Sequence, residues 1–360
     1  TLSTGDMVFI CDNVKKRVPG SSMYTVYTDD DGNTTGEDFK GENLITGTIK
    51  GVAENRTPTV YFLSGHGEKS LDSYTKFTTN LTNYNYAAKE LNLSETDSVP
   101  DDAALVLVAA PSKDITDAEA EKLNAYLDNG GNISLLMSPN GGAFAYTNLE
   151  AIMKDYGFYM DYDRVSETNS NYHISGDKYT IQCELNELDD DSEATDLTSS
   201  LLNQGLYTFM PESRSFRYND EGGKYTIAPL ITTYDSAEGE PYGGISDDPE
   251  KQSGQMLLAA DSTSIARNDS KMVVFGNAEF IDDEHVSDDT VIVPVYLFLS
   301  TISWMYDSDI DMEISTKSTT NDYISLQDAG FAKGLMVVLT VIPVAIMAAG
   351  IGIWIKRRNS

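Results

Sequence analysis

The chain is short of the residues that most chemistry requires. Two cysteines, Cys11 and Cys183, and three histidines, His66, His173 and His285, are scattered through 360 residues. No Cys-x-x-Cys pair or other zinc spacing occurs, so no structural zinc site is expected. Outside a membrane the two cysteines could pair, but the flanking Phe9-Ile10 makes Cys11 read as a small core residue. Gly-x-Ser-x-Gly and Gly-x-Cys-x-Gly are absent, which removes the nucleophile-elbow hydrolases. There is neither a P-loop nor a Gly-x-Gly-x-x-Gly, so neither a bound nucleotide nor any other cofactor is expected. Positive charge is scarce too, with 25 Lys and Arg against 57 Asp and Glu and a net charge of −32. That balance argues against nucleic acid and against adhesion to an anionic bilayer surface. The acidity lies in short clusters such as Asp189-Asp190-Asp191 and Asp282-Asp283-Glu284, the pattern of a solvated face.

What is present is organised around Thr59 to Glu68. Val60 to Leu63 is a short apolar run rich in β-branched and aromatic residues, followed at once by Ser64-Gly65-His66-Gly67-Glu68. This predicts a buried central strand feeding a tight glycine turn. Leu71, Tyr74, Phe77 and Leu81 then recur at three- and four-residue spacing, which predicts a helix face. Strand, turn and helix make the first half of an α/β unit, whose turn is where such folds keep their sites.

Residues 1–56 form an incomplete lead-in, with strands expected at Met7 to Cys11 and Met23 to Thr28 and a helix at Glu42 to Val52. Asp29 to Asn33 reads as a turn; as a calcium loop with Gly32 sixth, its first ligand position would fall on Tyr27, so the pattern fails. Residues 57–158 read as the first part of the α/β core. Tyr86 to Leu91 suits an edge strand, and Ala103 to Ala110 and Ile133 to Met137 suit central strands. Thr116 with Glu119 predicts a capping box, and the helix it starts ends at Gly130-Gly131. Asn148 is the expected cap of a further helix, Leu149 to Tyr156, stopped by Gly157. Residues 159–254 are less regular and read as a β-rich insertion. Residues 255–306 complete the core, with strands at Gln255 to Ala260 and Lys271 to Gly276 and an amphipathic helix at Val291 to Met305. The expected fold is a doubly wound, mostly parallel α/β sheet with a β-rich insertion.

Residues 307–333 read as a polar tether. Gly334 to Ile355 is an uncharged apolar stretch of 22 residues, enough to cross a hydrocarbon core of about 30 Å. Pro343 and several glycines are tolerated in such helices. Lys356-Arg357-Arg358 follow directly, so 356–360 is expected as a cytoplasmic tail and the bulk of the chain outside the cell membrane. Residue 1 is Thr, and the chain reads as a piece of a longer one.

Several segments together resemble one family, the auxiliary extracytoplasmic components of ABC transporters of the gliding-motility, GldG-like type. They are Phe39-Lys40-Gly41-Glu42, Val60 to Glu68, Pro100-Asp101-Asp102-Ala103, Ala110-Pro111, Tyr126 to Gly131, Asn148-Leu149, Tyr156-Gly157 and Val274 to Phe280. The resemblance implies a flavodoxin-like or glutamine-amidotransferase-like domain outside the membrane, working beside an ABC permease and a cytoplasmic ATPase. It carries over no catalytic residues.

The candidate ligand-binding turn is Ser64, Gly65, His66, Gly67 and Glu68. A histidine beside a carboxylate can act as a general base or metal ligand; equally, His66 can hydrogen-bond a neighbouring loop while Glu68 caps the following helix. Ser138 is a poor nucleophile, with Pro139 behind it and no helix following. Two functions follow as expectations. The first is a membrane-anchored, non-enzymatic accessory subunit, with lipid contact through 334–355. The second is a cell-surface hydrolase using His66 and Glu68, with or without a metal.

Overall fold

The computed structural model describes residues 4–28, 34–39, 41–53, 57–188, 194–202, 207–219, 223–244, 252–286 and 289–306, with a few isolated positions besides. The chain divides into two compact units, 1–25 with 39–316 and 26–38 with 317–360. Residues 26–28, 34–38 and 317–318 of the second belong to the strands Tyr24–Thr28, Thr34–Phe39 and Lys317–Ser318.

The first unit is built on runs too apolar for any face to meet water. Val60, Leu105, Val106, Leu107, Val108, Ile133, Leu135 and Leu136 are all fully buried. Such side chains each contribute about 1.5–3 kcal/mol on leaving water, and only a sheet covered on both faces buries them all. From residue 57 on, the central sheet starts with four strands: β1 (Thr59–Leu63), β2 (Ala87–Leu91), β3 (Ala103–Ala109) and β4 (Ile133–Leu136). Next come β5 (Phe158–Met160), β6 (Asp163–Glu167), β7 (Asp177–Leu185), β8 (Phe216–Tyr218), β9 (Tyr225–Thr232) and β10 (Ala237–Pro241). The last two are β11 (Leu257–Ser264) and β12 (Ser270–Phe275). The parallel centre runs β12-β4-β3-β1-β2, with Val60 beside Leu105 and Leu136 beside Phe275. Beyond β12 the sheet continues antiparallel through β11, β9 and β7. Strands of the less regular stretch thus extend the central sheet, while among the described residues β6 and β10, with Gln252–Ser253, form a small sheet of their own.

Alternate side chains feed two cores. Val60, Phe62, Leu105, Leu107 and Phe275 meet helices α1 (Thr75–Asn83) and α4 (Ile292–Met305) on one face. Tyr61, Leu63, Val106, Val108 and Val274 meet α2 (Asp117–Asp128) and α3 (Thr147–Lys154) on the other. The fold is therefore mixed α/β with a large sheet, parallel through its centre.

Several expectations need correction. The helix at Val291 to Met305 is buried almost all round rather than amphipathic, because Val295, Leu299 and Ser303 on one side are buried as well as Val293, Leu297, Phe298 and Thr301 on the other. Asn148 does not cap α3; Asp114 does so from another loop, accepting from Asn148 N at 2.7 Å and Leu149 N at 3.3 Å. The lead-in holds an unforeseen second strand, Val14–Val18, antiparallel to Met7–Cys11. Cys11 and Cys183 are both free thiols. The turn at Asp29 to Asn33, most of the 307–333 tether and the 334–355 apolar stretch apart from Trp354 lie outside the described residues. Among the described residues no helix is long and apolar enough to cross a membrane.

Candidate functional site at the sheet's switch point

Strand order decides where a ligand crevice would open. From β1 the chain passes through α1 to β2 on one side, while β3 lies on the other side of β1 and leads through α2 to β4. The direction of winding therefore reverses between β1 and β3. In open α/β sheets the carboxyl ends of strands flanking such a reversal border the usual ligand crevice. Residues 64–68 follow β1 there, and residues 110–116 follow β3.

The two loops close on each other. His66 O accepts from Ser112 N at 2.8 Å, Lys113 N at 3.2 Å and Ser112 Oγ at 3.1 Å. Gly67 permits this approach: its φ is +86°, and a Cβ there would lie 1.8 Å from Ser112 Oγ. Ala110 takes a left-handed φ of 48° as β3 turns into this loop, a costly conformation for a residue with a Cβ.

The His66 side chain is only 4% exposed and is held at both ring nitrogens. Nδ1 lies 3.3 Å from Glu68 Oε1, and Nε2 lies 3.1 Å from Glu119 Oε2. Glu68 Oε2 also accepts from His66 N at 2.7 Å, so Glu68 turns back on its own loop and does not cap the following helix. Glu119 is the capping-box residue of α2, accepting from Thr116 N at 2.9 Å and Thr116 Oγ1 at 2.6 Å. The hydrogen bond to Glu68, with help from Glu119, outweighs burial and raises the His66 pKa. Burial acts to raise the Glu119 pKa, but the Thr116 and His66 hydrogen bonds overcome it and leave it lowered. Both shifts favour an imidazolium between two carboxylates.

The structure thus brings His66 and Glu68 together and adds Glu119, which sequence reasoning placed only at a helix cap. Ser64 lies elsewhere, on the rim of a 490 Å³ cleft shared with Tyr61, Asn92, Glu95 and Thr96. Gly65 is exposed near Asn92, 3.5 Å from where its Cβ would be.

A second latch crosses from the loop after β12. Buried Asp282 accepts from Lys69 Nζ at 2.6 Å and pairs with His285 Nδ1 at 2.7 Å. Asp283 Oδ1 accepts from Lys76 N at 2.7 Å. Asp282, Glu284 and His285 place donor atoms within 4.8 Å of one another. Both Asp282 oxygens are already engaged, Oδ2 by Lys69 and Oδ1 by His285. His173 Nδ1 bonds Ile174 O at 2.7 Å.

These features define a three-layer α/β domain whose switch point is closed by its own side chains. The family model described as an ABC-type uncharacterized transport system matches residues 57–294, and the chain belongs to that family. It is an auxiliary component of an ABC transport system. Among solved structures the chain is similar to the mmIFT52 N-terminal domain, at TM-score 0.52 and 17% identity over 70% of this chain and 99% of that one. That likeness is one of fold. A putative GMP synthase protein from Thermoplasma acidophilum aligns over 70% of this chain and 96% of its own, at 7% identity and TM-score 0.33, too low to carry an argument. No curated protein matches.

Proposed function

We propose that this chain is a membrane-anchored, non-enzymatic accessory subunit of a GldG-like ABC transport system, with its α/β domain outside the cell. The transport part rests on family membership. The non-enzymatic part rests on one observation: the crevice where an α/β enzyme would hold substrate is filled by His66, Glu68 and Glu119, with both imidazole nitrogens engaged. A hydrolase would need His66 to accept a proton from water or substrate, and neither nitrogen is open to one.

The anchor reading comes from the apolar stretch 334–355 and the cations behind it. Ala345, Ala349 and Gly352 fall at four- and three-residue steps, a small-residue stripe suited to packing against permease helices. Two measurements test the proposal. Protease on intact cells should remove the domain and spare the tail, and a protected domain would overturn the orientation. Ala349→Leu and Gly352→Leu should each weaken co-purification of the permease while the protein stays in the membrane fraction. Unchanged co-purification in both would leave the helix as an anchor only.

A further inference from the structure

Arg214 is the largest fully buried side chain of the described residues, and it is incompletely satisfied. Its Nη2 donates to Ser138 O at 2.9 Å, while Nε and Nη1 have no hydrogen-bond partner among the described residues. The guanidinium lies 5.5 Å from the ring centre of Tyr162 and 5.7 Å from that of Tyr146, two rings stacked 6.4 Å apart. Among the described residues no carboxylate pairs with it. Asp163, the buried acid whose field it feels, is committed to Ser215 N at 2.9 Å and Ser215 Oγ at 2.7 Å. Glu150 is taken by the Tyr162 hydroxyl.

The backbone fixes the arginine in this place. Arg214 N donates to Gly276 O at 3.0 Å, and a Cβ on Gly276 would meet Arg214 O at 2.1 Å. Ser138 and Gly276 follow β4 and β12 at the carboxyl end of the parallel strands, the end at which such sheets bind ligands. A guanidinium stripped of water is costly unless a counter-charge and hydrogen bonds replace it. Ring faces and one carbonyl supply only part of that, and two donors remain unused.

We propose that Arg214 anchors a small-oxyanion site, its unpartnered Nε and Nη1 receiving a carboxylate or phosphate group between Ser138 and the Tyr146 and Tyr162 rings. Arginine suits both groups, since its fixed fork of donors matches their oxygens. The net charge of −32 opposes general accumulation of anions, so saturable anion binding would report a built site. This inference goes beyond the transport assignment and stands or falls without a permease.

The test is a titration of the isotope-labelled full chain with sodium phosphate and, separately, sodium acetate, against sodium chloride at equal ionic strength. The Arg214 Nε–H resonance, assigned with Arg214→Lys, should shift saturably with phosphate or acetate and stay still with chloride. The thermal midpoint should rise with the same concentration dependence, and Arg214→Lys should weaken the apparent affinity about tenfold or more. A response to phosphate alone identifies a phosphate site, and one to acetate alone a carboxylate site. If the resonance ignores both anions, or follows chloride equally, the inference is overturned. Should Arg214→Lys fail to fold, the Nε–H signal is assigned by through-bond correlation in the parent chain and the same titration decides.

Discussion

Replacing His66 by alanine separates a folding role from a catalytic one. The imidazole makes two charge-assisted hydrogen bonds, to Glu68 and Glu119, whose side chains are only 2% and 6% exposed. Hydrogen bonds to charged groups contribute about 1.5–3 kcal/mol each. Removing one member of a buried ionic cluster costs about 3–5 kcal/mol, because the remaining charges stay buried. Glu119 keeps its Thr116 bonds and Glu68 keeps the bond from residue 66 N, which limits the loss, so the expected cost of His66→Ala is about 3–5 kcal/mol. The pH dependence adds a second signature. The folded-state pKa of His66 is raised, so the folded protein holds its proton more tightly than the unfolded chain. The resulting stabilisation is complete below the unfolded value of about 6.5 and disappears as pH rises through the folded value, with a slope of about 1.4 kcal/mol per pH unit at most. Urea unfolding followed by far-UV circular dichroism at several pH values between 6 and 9 would show the parent losing stability in that window more steeply than His66→Ala. A variant that keeps full stability and the parent's pH slope, while losing all transport-linked function, would refute the argument and restore His66 as a catalytic or ligand-binding group.

Three further outcomes follow from the same geometry. Gly67→Ala should cost about 3 kcal/mol or more, since positive φ and the 1.8 Å approach to Ser112 Oγ act together, whereas Gly65→Ala, at φ +109° but with its Cβ only in ordinary contact with Asn92, should cost about 1–2; equal losses in thermal melts would deny the close approach. Buried Asp261 has its pKa raised well above the usual carboxylate range by desolvation. The folded state therefore keeps a proton that the unfolded chain has released, so stability falls as pH climbs above about 4, and Asp261→Asn should flatten that decline in urea titrations. Glu119 behaves oppositely. Its lowered folded pKa gives stability that is present above the unfolded value and lost as pH falls through the folded one, so Glu119→Gln should blunt acid unfolding in the same assay.

The parallel centre was legible because its signal is local. Val60 to Leu63, Ala103 to Ala109 and Ile133 to Leu136 are apolar on both faces, which only a covered sheet explains. The capping box at Thr116 and Glu119 was legible too, since both halves lie within one turn. The side-by-side placement of β7, β9 and β11 was not. Their partners are set by long-range register, and Leu185 opposite Ile231 leaves no trace at fixed spacing. Helix α4 failed differently. An amphipathic helix was expected, but Ser300, Thr301 and Ser303 are buried, and at least two satisfy themselves against their own helix, Ser300 Oγ on Tyr296 O and Thr301 Oγ1 on Phe298 O.

The segments that carry the family resemblance also turn out to have work to do within the fold. Asp102 binds Thr59 Oγ1 at 3.0 Å and Tyr61 OH at 2.7 Å, and the Lys89 and Tyr61 hydrogen bonds pull its pKa down to about 2. It therefore pins the entry of β3 to β1. Tyr126 OH bonds Asn132 N at 3.0 Å, and its ring leaves no room for a Cβ on Gly131, 2.4 Å away. Asn277 reaches Glu212 O at 3.1 Å, which ties the end of β12 to the segment bearing Arg214. Even the glycine turn places its histidine inward against Glu119 rather than outward. A shared pattern made of such residues preserves a shape and a set of loop-to-loop latches. That accounts for a family recognisable along 57–294 without a conventional catalytic motif, and it shifts the search for chemistry to residues outside the pattern. Among these is Arg214, which no spacing rule singles out and whose Nε and Nη1 have no hydrogen-bond partner among the described residues.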